Sequence, residues 1–332
     1  MRSCISPILP RRAATDWEVG ALRSATQAAR RGLRTTWWIR LWNRLVLPAS
    51  HDLREIEVVL KLTAIILLLR PFDVWWVSPF VLLTAGLSLL FPTVRRRPIT
   101  WWLLSTLIAL RVVAVWPLSD NHVYLLAYWC LAIGIALAGP VPSVMLARSS
   151  RWLLGAAFAC AVLWKAFLSP DYRDERFFRV TLMTDDRFAE AVMLIGGLTA
   201  DQIRENRAVL EPLPEGAELD RPRGLIEPPR LRAFAAVATW GGLALEGLLG
   251  ALYLLPIRWI PDLARHTALM LFCVTTYALA PVAGFGWLIA TMGLAQCPSD
   301  GRIVRAAYVA VFFLVLLYSE IPWTGVLASW MR

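Results

Sequence analysis

Apolar runs of roughly 20 residues, each long enough as a helix to cross a hydrocarbon core of about 30 Å, recur along most of this chain. The runs fall at 55–72, 74–92, 100–118, 121–145, 151–169, 232–256, 266–292 and 303–325. Buried strands of a soluble α/β protein are apolar for only about 4 to 8 residues, so run length decides the class. The sequence therefore reads as an all-α integral membrane protein, a polytopic bundle of about eight transmembrane helices. Composition agrees: 58% of the residues are hydrophobic and 17% charged, too little polar surface to cover a water-soluble globule of 332 residues. Several of the 17 tryptophans sit near run ends, as Trp37-Trp38, Trp75-Trp76 and Trp101-Trp102, where indoles favour the headgroup region.

Charge sets the expected orientation. Residues 1–54 form a basic segment carrying Arg2, Arg11, Arg12, Arg23, Arg30, Arg31, Arg34, Arg40 and Arg44, with no apolar core of signal-peptide length. Within it Leu33, Trp37, Leu41 and Leu45 recur every fourth residue, the pattern of an amphipathic helix lying in the interface or packed on the bundle. With this segment in the cytoplasm, the even-numbered connections hold Arg95-Arg96-Arg97, Arg148 and Arg151, and Arg258 and Arg265. The opposite turns, near Asp73, near Ser119-Asp120-Asn121 and from Cys297 to Arg302, are poor in basic residues. That asymmetry predicts a multi-pass protein of a cell (inner) membrane with both termini cytoplasmic. It also accounts for the net charge of +10 without a nucleic-acid partner. Arginine outnumbers lysine to the point that Lys61 and Lys165 are the two lysines of the chain, which fits a bacterial, GC-rich origin.

The connection at 170–230 holds thirteen acidic residues against nine basic ones and belongs on the outer face. Its middle, Phe188 to Leu210, follows a cap at Asp185-Asp186 and predicts one amphipathic helix on the membrane or the bundle. The proline-rich stretch that follows, with Pro212, Pro214, Pro222, Pro228 and Pro229, predicts extended linker. Cys4, Cys130, Cys160, Cys273 and Cys297 show no metal-ligand or redox spacing, so neither a metal site nor a disulfide is expected.

Ionisable groups at membrane depth cost on the order of 2.5–3.5 kcal/mol each on insertion scales, which makes every one a candidate site until a partner explains it. Arg111 lies midway along its run, as an ion-pair partner (for instance of Glu246) or as part of a site. Glu320 falls near the expected cytoplasmic end of the last run, within reach of headgroup water. Glu246 follows Trp240-Gly241-Gly242 on a helix whose small residues permit close neighbours, and it serves either function or internal pairing. Lys165 can snorkel to the interface or, desolvated, lose its proton and act as a base. His122 and His266 open their runs. No Walker loop, HExxH, GxSxG or paired CxxC is present, which argues against nucleotide hydrolysis and zinc chemistry.

Asp120-Asn121-His122-Val123-Tyr124-Leu125 resembles the NH-x-YL segment of the vitamin K-dependent gamma-carboxylases and their bacterial relatives, which carry the horizontally transferred transmembrane (HTTM) domain. Lys165 through Leu168-Ser169-Pro170-Asp171-Tyr172 resembles the lysine and acidic-aromatic turn of that family, Trp240 to Glu246 its WGG-x-x-x-acidic helix, and His266 with Phe272 and Pro281 its His-initiated segment. The matches keep the family's order between about residues 55 and 296. The resemblance implies a bundle of eight or nine helices around a quinone-like or lipid-like ligand, with reduced quinone as the cofactor. It implies Lys165, Glu246 and His122 as catalytic groups and Asn121, Tyr124, Arg111 and His266 as ligand-binding ones. Lys165 stands two positions before the family's lysine, where Phe167 is found, and two residues turn an α-helix by about 200°. With no large extramembrane domain after the last run, the expectation is the family's architecture without the carboxylation of a protein substrate. The alternative is a non-enzymatic assembly or toxin-protection partner that acts through its outer loop.

Overall fold

Every regular element among the described residues is helical, and prolines mark where several of the long helices begin. The computed structural model describes residues 53–70, 72–117, 119–211, 224–256, 260–279, 284–298 and 300–320. The amphipathic segment at 33–45 lies outside them. The longer helices are α1 (Leu53–Leu69), α2 (Ser78–Leu90), α3 (Pro98–Ala114), α4 (Asn121–Ala138), α5 (Pro142–Leu163), α6 (Arg176–Thr184), α7 (Ala200–Leu210), α8 (Pro229–Leu254), α9 (Asp262–Leu279), α10 (Phe285–Leu294) and α11 (Arg302–Glu320). Proline occupies the first turn of α2, α3, α5 and α8, where its missing N–H would be unpaired anyway. Among the described residues three elements are long and apolar enough to cross a membrane: α4, α8, and α5 with the π-turn that extends it to Leu168. Phe80, Leu83, Leu90, Val113, Leu271 and Phe313 turn outward, an apolar exposure that suits lipid and not water. The chain is a helical membrane protein.

Side-chain contacts fix which helix ends lie together. At one end, here the arginine end, Glu57 of α1 pairs with Arg95 and, at 3.2 Å, with Arg96. Arg95 is buried there and donates to the carbonyls of Ser88 (2.6 Å) and Leu89 (3.0 Å). Arg151 of α5 donates to the Tyr253 carbonyl near the end of α8 (2.8 Å), and Arg305 of α11 donates to the Glu55 carbonyl (2.6 Å). The opposite end gathers Arg70, Asp73, Arg111 and Asp120.

Two expected spans break differently. The run 121–145 stops at Ala138, because Gly139, Pro140 and Pro142 cannot carry a helix through, and Arg148 and Arg151 lie inside α5, not in a loop before it. The run 266–292 is two helices. Gly284, at φ +89°, turns the chain between α9 and α10, and α10 runs back through the bundle interior. All of Gly286–Leu294 is buried, as a helix that is apolar on every side must be. Ser150 of α5 donates to the Met292 carbonyl, and Gln296 donates to Ser150 (3.1 Å), which ties the end of α10 toward the arginine end. The turn from Cys297 to Arg302, expected opposite the arginines, therefore lies with them. For the same reason α11 ends at the far end, so the backbone of Glu320 lies opposite to where the sequence placed it.

Close approach through small residues sets the packing. A Cβ at Gly286 would lie 2.8 Å from the Tyr277 ring, and one at Gly293 2.4 Å from that of Tyr308. Trp129 donates to Thr63 (3.0 Å), pinning α4 to α1, and Trp101 is buried and donates to the Arg95 carbonyl (2.7 Å), so it belongs to the core and not to an aromatic belt. Trp75 and Trp116 are exposed at the far end.

Residues 170–211 form folded structure with a hydrophobic cluster of their own. Leu182, Met183, Phe188, Val192, Leu198 and Ile203 pack with Leu231 and Ala235 of α8. Asp185 caps a short 3₁₀ turn, as its position suggested. The single helix expected over 188–210 is broken at Gly196-Gly197, with Gly197 at φ +74°, and α7 restarts behind a capping box of Thr199 and Gln202. Pro228 and Pro229 form the cap and first turn of α8, not linker.

Candidate functional site

The pairing of α5 with α8 explains how residues 81 positions apart meet. The helices run antiparallel, and a Cβ at Gly250 would lie 3.3 Å from the Ala159 nitrogen, a tight backbone approach that glycine eases. One turn before Gly250 on α8 stands Glu246. Two turns beyond Ala159 the π-turn Trp164–Leu168 carries Lys165 toward it. Pro170 has no N–H for the Ala166 carbonyl, so the helical ladder ends there. Lys165 Nζ donates to both Glu246 oxygens, at 2.6 and 2.7 Å, with the side chains 26% and 16% exposed. Nζ also lies 5.0 Å from the centroid of the Tyr172 ring. Burial first, and the Glu246 carboxylate second, pushes the Tyr172 phenol above its usual value, so its hydroxyl stays a donor. Phe167 is 71% exposed. Lys165 faces the neighbouring helix and Phe167 faces away from it, as side chains two positions apart on a helix do.

The other candidates gather elsewhere. Arg111 donates to Asp73 (2.9 Å), not to Glu246, because α3 carries it to the far end while Glu246 is held by Lys165. His122 Nε2 lies 3.4 Å from Asp120, whose carboxylate also lies 3.6 Å from Arg70. No described hydrogen bond or ion pair joins His122 to Lys165 or Glu246. Asn121 is exposed, and Tyr124 meets Trp116 edge to face at 6.4 Å. His266 lies toward the arginine end, bonded through Nδ1 to the Tyr308 hydroxyl at 2.9 Å.

Tyr172, Arg70, Asp73 and Asp120 are site neighbours that inspection of the sequence did not single out. Tyr172 was in view as half of the acidic-aromatic pair, but its approach to Lys165 depends on the π-turn. Arg70 and Asp73 looked like the polar ends of neighbouring runs. No group of three or more His, Cys, Asp or Glu side chains among the described residues is placed to hold a metal ion. Chemically, the Lys165–Glu246–Tyr172 group offers hydrogen bonds and charge. A lysine ammonium has three donors, Glu246 takes two, and one is left for the Tyr172 face or an oxygen brought by a ligand. Comparison with protein-family models, with curated proteins and with solved structures gives no significant match.

Proposed function

We propose that this chain is a multi-pass protein of a bacterial cell membrane, related to the gamma-carboxylase-like (HTTM) group, that binds a quinone-like or lipid-like ligand beside Lys165 and Glu246. Its arginine end faces the cytoplasm, where Arg302 and Arg305 add to the excess there. Among the described residues nine passes then replace the expected eight, with α10 as a short internal pass shielded from lipid. The observation that carries the ligand reading is the Lys165–Glu246 pair on a π-turn, a helix irregularity frequent at functional sites. A quinone carbonyl or lipid ester oxygen would accept from the remaining Lys165 N–H while its apolar body lay along the exposed faces of α5 and α8. Carboxylation of a protein substrate is not part of the proposal.

The test uses protein in nanodiscs and a water-soluble naphthoquinone. Binding is followed by quenching of tryptophan fluorescence, and oxidation of the reduced form is followed under oxygen. Binding that weakens at least tenfold in Lys165→Ala and in Glu246→Gln is expected. Equal binding by wild type and both variants refutes the site.

A second reading, a partner protein acting through its outer region, is favoured by the folded, acidic segment at 170–211. Deleting residues 185–210 would remove Phe188, Val192 and Ile203 from its core, so the clean test is charge reversal at the exposed Asp201 and Glu205. Loss of partner capture with intact quinone binding would select that reading.

A further inference from the structure

The far end of the bundle holds two buried guanidiniums, one of which, Arg111, has nitrogens that no described partner satisfies. Arg111 is 5% exposed. Its Nη2 donates to Asp73, and its Nε and Nη1 are buried without a partner among the described residues. Arg70 is 9% exposed and stands 3.6 Å from Asp120, beyond hydrogen-bond distance. The two arginines, Asp73 and Asp120 are within electrostatic reach of one another, and His122 feels both arginines and Asp120. Asp73 and Asp120 are 70% and 61% exposed, so water screens the negative charge while the positive charge is buried. The first turns of α4 and α10 open into the same place and add their positive dipole ends. At the start of α10, a Cβ on Gly284 would lie 2.7 Å from Arg70 Nη1, so glycine leaves the guanidinium its seat.

A buried guanidinium with unpaired N–H groups is costly, and the ligand that best answers Arg111 with the second buried cation, Arg70, in electrostatic reach is an oxyanion. We propose that Arg70 and Arg111 form a binding site for a phosphate group, supplied by a phospholipid headgroup or by free phosphate. Its place beside the exposed Trp75 and Trp116 puts it at the headgroup level of the membrane reading. The site is independent of the ligand proposed at Lys165.

The experiment uses full-length protein in dodecyl maltoside, a phosphate-free detergent, after delipidation. Three probes are titrated, with binding read from the shift in thermal unfolding: inorganic phosphate, dioctanoyl phosphatidylglycerol, and dioctanoylglycerol as the phosphate-free lipid. Arg70→Gln is expected to weaken binding of the phosphate-bearing probe by about tenfold to a hundredfold, the loss of one charge-assisted contact. Asp120→Asn changes an exposed side chain, leaves the fold intact, and is expected to tighten binding several-fold by removing a competing anion. Tighter binding of phosphatidylglycerol than of inorganic phosphate assigns the site to lipid, and equal binding of the two assigns it to the free anion. Shifts that are the same for all three probes, or that ignore both substitutions, overturn the proposal.

Discussion

Replacing Gly293 by alanine tests the course of α10 directly. The new Cβ would lie 2.4, 2.5 and 2.7 Å from Cε1, Cζ and the hydroxyl of Tyr308. Contact of carbon atoms begins near 3.4 Å, so the ring has to retreat by about 1 Å. Tyr308 is buried, and its hydroxyl sits 2.9 Å from His266 Nδ1, so a retreat of that size also breaks this hydrogen bond. Overpacking costs about 1–3 kcal/mol and the lost bond about 1 kcal/mol, against a gain of roughly 1 kcal/mol from replacing glycine within a helix. The net expectation is destabilisation by ~2 kcal/mol. Gly241→Ala is the control: nothing lies within 4 Å of its Cβ, so helix propensity alone acts and the variant is slightly more stable. Unfolding in mixed dodecyl maltoside and dodecyl sulfate micelles, followed by circular dichroism, gives both values. A cycle with Tyr308→Ala should return a coupling of at least ~1 kcal/mol. If Gly293→Ala behaves like Gly241→Ala and the cycle is additive, α10 does not run beside α11, and a single span over 266–292 stands.

Three other expectations follow from the ion pairs and the outer segment. Lys165→Met should lower stability by ~1–3 kcal/mol in the same micelle assay, because it leaves Glu246 partly buried and unpaired, and Lys165→Met/Glu246→Leu should recover most of that loss. Glu57→Gln should cost ~3 kcal/mol by stranding the buried Arg95, and an exposed control such as Asp201→Asn should cost nothing measurable. Asp185 is held below the usual carboxylate range, chiefly by the hydrogen bond from Arg187, so its stabilisation is present above the unfolded value near ~3.9 and lost as pH falls through the folded one. The gap in hydrogen-exchange protection between wild type and Asp185→Asn at residues 186–192 should hold from about pH 5 to 8 and close below about pH 4, and a gap that instead closed toward high pH would contradict the assignment.

Apolar run length was enough to read the fold class, because a run near 20 residues has few other uses. Boundaries were less legible: Pro142 was read into the run 121–145 and Pro229 into a linker, although each opens a helix, and Gly284 was not read as a turn at all. A glycine in an apolar stretch reads the same whether it packs against a neighbour or reverses the chain, and only its positive φ tells the two apart. The error then propagated: with 266–292 taken as one pass, Cys297–Arg302 had to fall opposite the arginines, although Arg302 and Arg305 themselves argued against that. Partner choice was the least legible. Depth suggested that Arg111 needed an acid, but the sequence offered Glu246 and Asp73 alike, and the α5–α8 contact at Gly250 and Ala159 settles the pairing by giving Glu246 to Lys165.

The π-turn bears most on what the resemblance to the carboxylase-like group is worth. On an α-helical wheel, moving a lysine by two positions turns it about 200° away and removes it from the place its counterpart would occupy. That argument assumes 100° per residue through Trp164–Leu168, and the chain does not keep that spacing there. Pro170 stops the ladder, the last turn widens to i→i+5 bonding, and Lys165 meets Glu246 while Phe167 points outward. Side chains two positions apart stay on opposite sides in either geometry, so the offset from the family's lysine stands, and what the structure adds is the pairing of Lys165 with Glu246 across the α5–α8 contact. Pro170→Ala would restore the missing donor and permit an unbroken α-helix. If the π-turn positions Lys165, that substitution should weaken naphthoquinone binding as much as Lys165→Ala does while leaving overall helix content unchanged; binding at the wild-type level would show that Lys165 reaches Glu246 without the turn.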